Sequence, residues 1–253
     1  MNLRTVIVES RFGPLVKRLK TALSTPRIRK IRLQDERYDQ QTISVMRRVL
    51  SRDSCCVDVG AHSGAVLRHI VALAPNGTHF AFEPLPHLAA LLQKRFPSVV
   101  VSDSAVSDVS GSGQFMYVKN AAPYSGLRRR LYDRSDVVIE RIPVRVTTLD
   151  EAVPDVRIAF IKLDIEGGEF HAIRGARKIL GRSRPIVVFE CGPRSTGQYG
   201  VAPGDMYRLW VGFGYQVSSM QRWLDATAPY GETEFGETWH SETEFYFIAY
   251  PAG

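Results

Sequence analysis

Long apolar runs are missing from this 253-residue chain. None approaches the roughly 20 residues that a membrane-spanning helix needs. Cysteine is scarce as well: Cys55, Cys56 and Cys191 sit in apolar, strand-like runs, without C-x-x-C pairing or metal spacing. That argues against a disulfide framework or a cysteine metal site and predicts reduced core thiols. The opening MNLRTVIVES is too short in its apolar part for a secretory signal, so the expected compartment is the cytoplasm. Internal repeats and low-complexity tracts are also lacking. What remains is the composition of an ordinary soluble globular protein, long enough for a sizeable core.

The net charge of +7 points to nucleic acid until it is located. Residues 1–32 hold nine Lys/Arg against Glu9 and sum to +8, so the other 221 residues sum to −1. The body is neutral and the basicity is a terminal arm. That arm suits an acidic partner, a membrane surface or a second subunit, and a solvated helical face is the plain reading. The expected division is a basic helical extension over residues 1–50 and one large domain over residues 51–253. Val16, Leu19 and Leu23 suggest one amphipathic helix in the arm, and residues 38–50 a second that packs on the main sheet.

The stretch that organises the domain is Val57-Asp58-Val59-Gly60-Ala61-His62-Ser63-Gly64. Cys55–Val59 reads as a buried strand, and the glycines allow a sharp turn and close approach of a ligand. The helix beginning near Ala65 aims its N–H groups and positive dipole end into that turn. Strand and helix then alternate. Strands are expected at Thr78–Phe82, Val99–Ser102, Gln114–Val118, Val144–Thr147, Ile158–Leu163, Ile186–Phe189, Tyr215–Ser219 and Phe245–Tyr250. Helices are expected at Ala65–Ala74, Pro86–Phe96, from Gly167 to about Leu180 and at Asp205–Gly212. Residues 119–137 read as a polar loop, and Gly231–Glu244 as an acidic insertion. The fold class is α/β: a Rossmann-like, mainly parallel, seven-stranded sheet whose last two strands form an antiparallel edge pair.

Asp58, Glu83, Asp164 and Glu190 all follow apolar runs and fall at strand carboxyl ends, where open α/β sheets bind ligands. Glu83 lies 19 residues beyond Gly64, placed to accept both ribose hydroxyls. A dinucleotide site would carry G-x-G-x-x-G, whereas this chain has Asp58-x-Gly60-x-x-x-Gly64. The acidic residue inside the strand end suits a cationic amine better than a pyrophosphate, so the pattern favours S-adenosylmethionine (SAM) over NAD.

These residues resemble the FkbM-type SAM-dependent methyltransferases over roughly residues 38–250. The matching pieces are VDVGAHSG (57–64), AFEP (81–84), SDSAVSD (102–108), TLD (148–150), IKLDIEGGEF (161–170), RGA (174–176), VFE (188–190) and GY (214–215). The sequence also looks like the actinobacterial branch that methylates mannosides in methylmannose polysaccharide synthesis. The resemblance implies a class I methyltransferase sheet and an O-methyltransferase acting on sugar or polyketide hydroxyls. It places Asp58, Gly60, Ala61, His62 and Ser63, with Gly64 closing the turn, around the methionine part of SAM. It gives Glu83 the ribose, and Ser104 with Asp103 the border of the adenine.

A sugar hydroxyl is a weak acid, so its methylation calls for a general base or a Lewis-acid metal. Asp164 and Glu190, with no Lys or Arg partner close in sequence except Lys162, are the expected ligands of Mg²⁺ or Mn²⁺. Glu166 and Glu169 suit the helix dipole equally well, and Glu166 remains a catalytic candidate. Lys162 shares a face with Asp164, and His240 is the histidine candidate for a base or third ligand. Tyr124, Tyr199, Trp223, Tyr230 and Trp239 are candidates to stack on sugar rings. The expected partner is a small molecule or oligosaccharide rather than nucleic acid, with a homo-oligomer left open. The alternatives are a polyketide or other small-molecule hydroxyl as acceptor, and a nucleic-acid-binding protein that uses the basic arm.

Overall fold

A computed structural model of the protein describes residues 26–132 and 135–253. The expected helix around Val16–Leu23 and most of the basic arm lie outside the described residues. Helix α1 (Pro26–Val49) is a single element where the sequence suggests only residues 38–50. Its run of Arg, Lys and Gln favours helix, and its only proline opens it. Thr42–Gly253 forms one compact unit. Within it the end of α1 buries Val45 and Met46, and Arg48 donates to the carbonyls of Trp223 and Leu224 at 3.3 and 2.8 Å.

The main sheet is built from β1 (Cys55–Val59), β2 (His79–Phe82), β3 (Val99–Ser102), β7 (Ile158–Leu163), β8 (Ile186–Glu190), β9 (Tyr215–Ser219) and β10 (Tyr246–Pro251). Their order is β3-β2-β1-β7-β8-β10-β9, parallel from β3 to β8. β10 runs antiparallel to both β8 and β9. The last two strands therefore do pair antiparallel, with β10 inside the sheet and β9 at the edge. The central strands read as apolar runs because helices cover both their faces. In β2, Phe80 and Phe82 join one core cluster while Ala81 joins another with Leu67, Leu92 and Phe96. Those last three belong to α2 (Ala65–Leu73) and α3 (Pro86–Arg95) or its end.

Three features depart from the expectation. A second sheet of three strands, β4 (Ala105–Val106), β5 (Gly111–Val118) and β6 (Ile139–Thr147), stands apart from the first. The short strands expected at Gln114–Val118 and Val144–Thr147 are parts of its long antiparallel hairpin, the first at the end next to the connecting loop and the second at the open end. Its outer residues are exposed and polar, which hid them from an apolar-run reading. After a short α4 (Leu149–Ala152), the helix expected from Gly167 to Leu180 is two, α5 (Glu169–Arg174) and α6 (Arg177–Ser183). The break falls at Gly175, where a Cβ would lie 2.2 Å from the Ser107 carbonyl. Beyond α7 (Pro203–Gly212) and α8 (Met220–Leu224), the acidic insertion contains helix α9 (Glu232–His240), which buries Phe235 and Trp239.

Candidate active site

The turn after β1 is held from two directions. Gly60 and Ala61 donate their N–H groups to the Phe82 carbonyl at 2.9 and 3.1 Å. Both amides are thus spent on joining β1 to β2. Gly60 has φ 80°, and a Cβ there would lie 1.9 Å from the Asp164 carbonyl oxygen. The close approach that demands glycine is therefore made by the end of β7. Gly64, at φ 79°, would drive a Cβ to 2.5 Å from the Phe96 ring. His62 adopts φ 47°, a left-handed conformation that costs a non-glycine residue about 1–3 kcal/mol. Its N–H is thereby aimed at Glu83 Oε2, 2.8 Å away, while the Leu85 N–H reaches Glu83 Oε1 at 3.0 Å. Burial pushes the Glu83 carboxyl up to about 7 against those two hydrogen bonds.

A cavity of about 210 Å³ opens beside this turn. Gly60, His62, Glu83 and Ser104 line one side; Asp164, Ile165 and Glu166 line another. Ala122, Pro123, Ser125 and Leu127, from the loop after β5, together with Tyr199, complete the wall. That loop is fixed in place: Met116 and Gly126 exchange backbone hydrogen bonds, and the Arg128 N–H donates to the Tyr199 hydroxyl at 3.0 Å.

At the carboxyl ends of β7 and β8, Asp164, Glu166 and Glu190 each offer an oxygen within 4.8 Å of the others. Glu166 takes φ 60° in the turn that follows β7. Cations enter the cluster as well. Lys162 Nζ lies 2.7 Å from Asp164 Oδ2. Arg130, reaching in from the loop, pairs with Glu166 and lies 3.7 Å from Glu190 Oε1. Burial opposes ionisation of Asp164, but Lys162, the Tyr246 hydroxyl and Arg130 outweigh it and hold that carboxyl below its ordinary value. Glu190 goes the other way: burial pushes it up to about 7, despite Arg130. Glu169 is fully buried, accepts the Ile165 N–H at 2.8 Å, and is raised well above its ordinary value by burial and by the charge of Glu190. Two carboxylates of one cluster are thus driven apart in proton affinity, the arrangement that separates acid from base.

The sequence-based candidates fare unequally. Gly60, His62, Glu83, Ser104, Asp164 and Glu166 meet at the cavity, with Glu190 and Lys162 joined to them through Asp164 and Arg130. Asp58 is buried opposite Lys162 in the β1–β7 register, with the Leu67 N–H of α2 as its hydrogen-bonding neighbour. Burial raises it to about 6 against the pull of Lys162. Ala61, Ser63 and Gly64 shape the turn without lining the cavity, and Asp103 is turned outward onto Arg145. His240 ends α9, exposed and edge-on to Trp239, away from the cavity lining. Of the aromatics, Tyr199 lines the cavity and Tyr124 stacks under Arg130. Trp239 and Tyr230 are core residues, and Trp223 packs under Arg48. Sequence reasoning missed Tyr246, whose hydroxyl donates to Asp164, and the inward turn of Arg130. The apolar-polar edge at the start of β10 was the only signal for Tyr246.

The profile of the FkbM methyltransferase domain matches residues 58–217, which span every residue of the cavity wall. The chain belongs to the FkbM methyltransferase family. No curated protein matches it. Among solved structures it is similar to the FkbM methyltransferase of Methylobacillus flagellatus KT, at 16% identity and TM-score 0.49, over 79% of this chain and 44% of that one. This chain therefore spans less than half the length of that protein. It is also similar to a SAM-dependent O-methyltransferase of Thermotoga maritima (14% identity, TM-score 0.45, 85% and 65% covered). A TehB-like SAM-dependent methyltransferase of Corynebacterium glutamicum is a third (12% identity, TM-score 0.45, 90% and 100% covered). Among the described residues no helix is long and apolar enough to cross a membrane.

An FkbM methyltransferase takes its methyl group from SAM, and this cavity suits that cofactor. Glu83 presents a buried carboxylate where ribose hydroxyls can donate, and the buried Asp58 carboxyl lies in the strand that leads into the neighbouring turn. For a divalent cation, three converging carboxylates suit a hard ion. Arg130, however, sits on two of the three. A dication and that guanidinium compete for the same oxygens.

Proposed function

We propose that the protein is a SAM-dependent O-methyltransferase acting on a saccharide hydroxyl, a mannoside being the leading class. The observation that carries the reading is geometric: Asp164, Glu166 and Glu190 converge at the strand ends, and Asp164 and Glu166 line the cavity. In the transfer, an acceptor oxygen forms a bond to the methyl carbon as the carbon–sulfur bond breaks, and the hydroxyl proton passes to Glu190 where no metal occupies the cluster, or to solvent where a metal holds Glu190 as a ligand. Glu83 holds the ribose, Ser104 borders the adenine, and the turn Gly60–Gly64 with Asp58 surrounds the methionine part. Asp164, fixed by Lys162 and Tyr246, remains ionised beside the reacting centre and favours a cationic methyl donor. Tyr199 offers an aromatic face in the wall for the C–H side of a sugar ring. The catalytic part is residues 51–253 together with the end of α1 that packs in the same compact unit, Thr42–Gly253, and the basic extension precedes it.

Transfer is metal-assisted in this reading. Asp164, Glu166 and Glu190 would hold Mg²⁺ or Mn²⁺ once Arg130 turns away, and the ion would supply Lewis acidity toward the acceptor oxygen. The deciding experiment is methyl transfer from labelled SAM to mannosides and other glycosides, with Mg²⁺ and with EDTA, and isolation of the product. A methyl ether formed at a sugar hydroxyl oxygen supports the reading. Transfer to nitrogen or carbon acceptors alone overturns it. Full activity in EDTA removes the metal and leaves Glu190 as the base.

A further inference from the structure

The arginine triplet 128–130 divides its labour. Arg130 turns inward and is spent on Glu166 and Glu190. Arg128 and Arg129 are exposed, and among the described residues neither meets an acidic side chain. Their guanidinium groups are nevertheless placed rather than loose. Arg128 lies 5.2 Å from the centroid of Tyr199, a cavity-wall residue whose hydroxyl also accepts the Arg128 N–H. Arg129 lies 6.0 Å from the Tyr132 ring. The preceding Leu127 is itself in the wall, and the following Leu131 N–H bonds to the Arg194 carbonyl at 3.2 Å. Stacking on a tyrosine covers one face of a guanidinium and leaves its N–H edges free for a planar or tetrahedral anion. Because Arg130 neutralises Glu166, the rim keeps, among the described residues, two positive charges without an acidic partner on a loop anchored at both sides.

We propose that the acceptor is an anionic saccharide, whose phosphate or carboxylate is bound by Arg128 and Arg129 while the hydroxyl to be methylated enters the cavity. This rests on the saccharide reading above and narrows it to a substrate class. The loop pairs recognition with orientation, because one anionic anchor beyond the reacting hydroxyl fixes which oxygen faces the methyl group.

The test compares matched probes: methyl mannoside against its 6-phosphate, and methyl glucoside against methyl glucuronide. With the full chain and labelled SAM, kcat/KM should favour at least one anionic member by about tenfold or more, less so as salt rises. The pair that shows the preference tells phosphate from carboxylate. In Arg128→Gln/Arg129→Gln the ratio should fall toward one, and Arg128→Lys/Arg129→Lys should restore part of it. A ratio near one in the wild type, or one untouched by the double Gln variant, overturns the proposal. Should no sugar be methylated, calorimetry of the same four probes with the S-adenosylhomocysteine complex separates the two readings. Anion-selective binding lost in the Gln variant upholds the subsite while the saccharide reaction fails. No selectivity, or salt-sensitive binding of a single-stranded RNA oligomer instead, overturns it.

Discussion

Tyr246 stands directly across the β8–β10 ladder from Glu190, and its hydroxyl reaches past that partner to hydrogen-bond Asp164. One residue of β10 therefore couples the two strand-end carboxylates that bound the candidate reaction centre. Burial, followed by the charges of Asp164 and Glu190, raises the phenol well above its ordinary value, so it stays a donor.

Tyr246→Phe should keep the ring packed and remove that donor. A hydrogen bond to a charged group contributes about 1.5–3 kcal/mol to stability, so Tm should fall by roughly 3–10 °C, and kcat/KM should fall about tenfold or more as Asp164 loses its fixed position. Asp164 should also become easier to protonate, adding a further fall in rate at acid pH, below the limb set by Glu190. A variant with a lower rate and an unshifted profile would assign Tyr246 to packing alone.

If Glu190 accepts the acceptor proton, activity requires its ionised form. With Glu190 raised to about 7 by burial, kcat/KM should climb with pH below that value and level off above it. The climb should approach tenfold per unit, and Glu190→Gln should abolish it while lowering the rate by roughly 10²–10⁴-fold. Stability runs the opposite way. The folded carboxyl holds its proton up to about 7, against an ordinary value of 4.5. Between those values the folded state binds more protons than the unfolded one, so stability falls as pH rises through the window. Glu83, also raised to about 7, adds the same sign. Denaturant melts across pH 4.5–8 should be flatter for Glu190→Gln than for wild type.

Much of this site was legible because its parts lie where periodic strands end. Glu83, Asp164 and Glu190 could be placed from apolar runs alone, since buried parallel strands write themselves as uninterrupted Val, Ile and Phe. The turn at Gly60–Gly64 was legible as a turn, yet its glycines answer to the Asp164 carbonyl and the Phe96 ring more than to any ligand. Arg130 was hidden because its loop has no period, and only tertiary folding turns one of three successive arginines inward. His240 misled because a histidine before a strand says nothing of which way its helix faces, and α9 spends its inward positions on Phe235 and Trp239.

Arg130 and a divalent cation are rivals for Glu166 and Glu190. Arg130→Met removes the rival while keeping an unbranched side chain against Tyr124. If Mg²⁺ or Mn²⁺ assists, the variant should reach half-maximal stimulation at a metal concentration at least about tenfold lower, given that removing one close charge is worth more than about 1.4 kcal/mol in a buried cluster. Titration of activity and of metal-dependent Tm should agree. A variant that binds no metal more tightly and works equally well in EDTA would leave Lys162 and the remaining protein charges to do that work.

Gly60→Ala tests whether the turn is held by its neighbour or by ligand approach. The new methyl group would collide with the Asp164 carbonyl, 1.9 Å from the ideal Cβ, in a backbone at φ 80°. A left-handed alanine costs about 1–2 kcal/mol and overpacking against rigid backbone another 1–3. Asp164 and the turn that carries Glu166 must then move, so stability and methyl transfer should fall together, even without cofactor present. Gly64→Ala meets only the Phe96 and Leu92 side chains, which can shift, so its loss of stability should be smaller and its kcat closer to wild type. Differential scanning calorimetry of the two variants without SAM separates the explanations: both carry the cost of a left-handed alanine, so a ligand-driven need for Gly60 would lower the cofactor-free Tm no more than Gly64→Ala does, and a need set by β7 would lower it further.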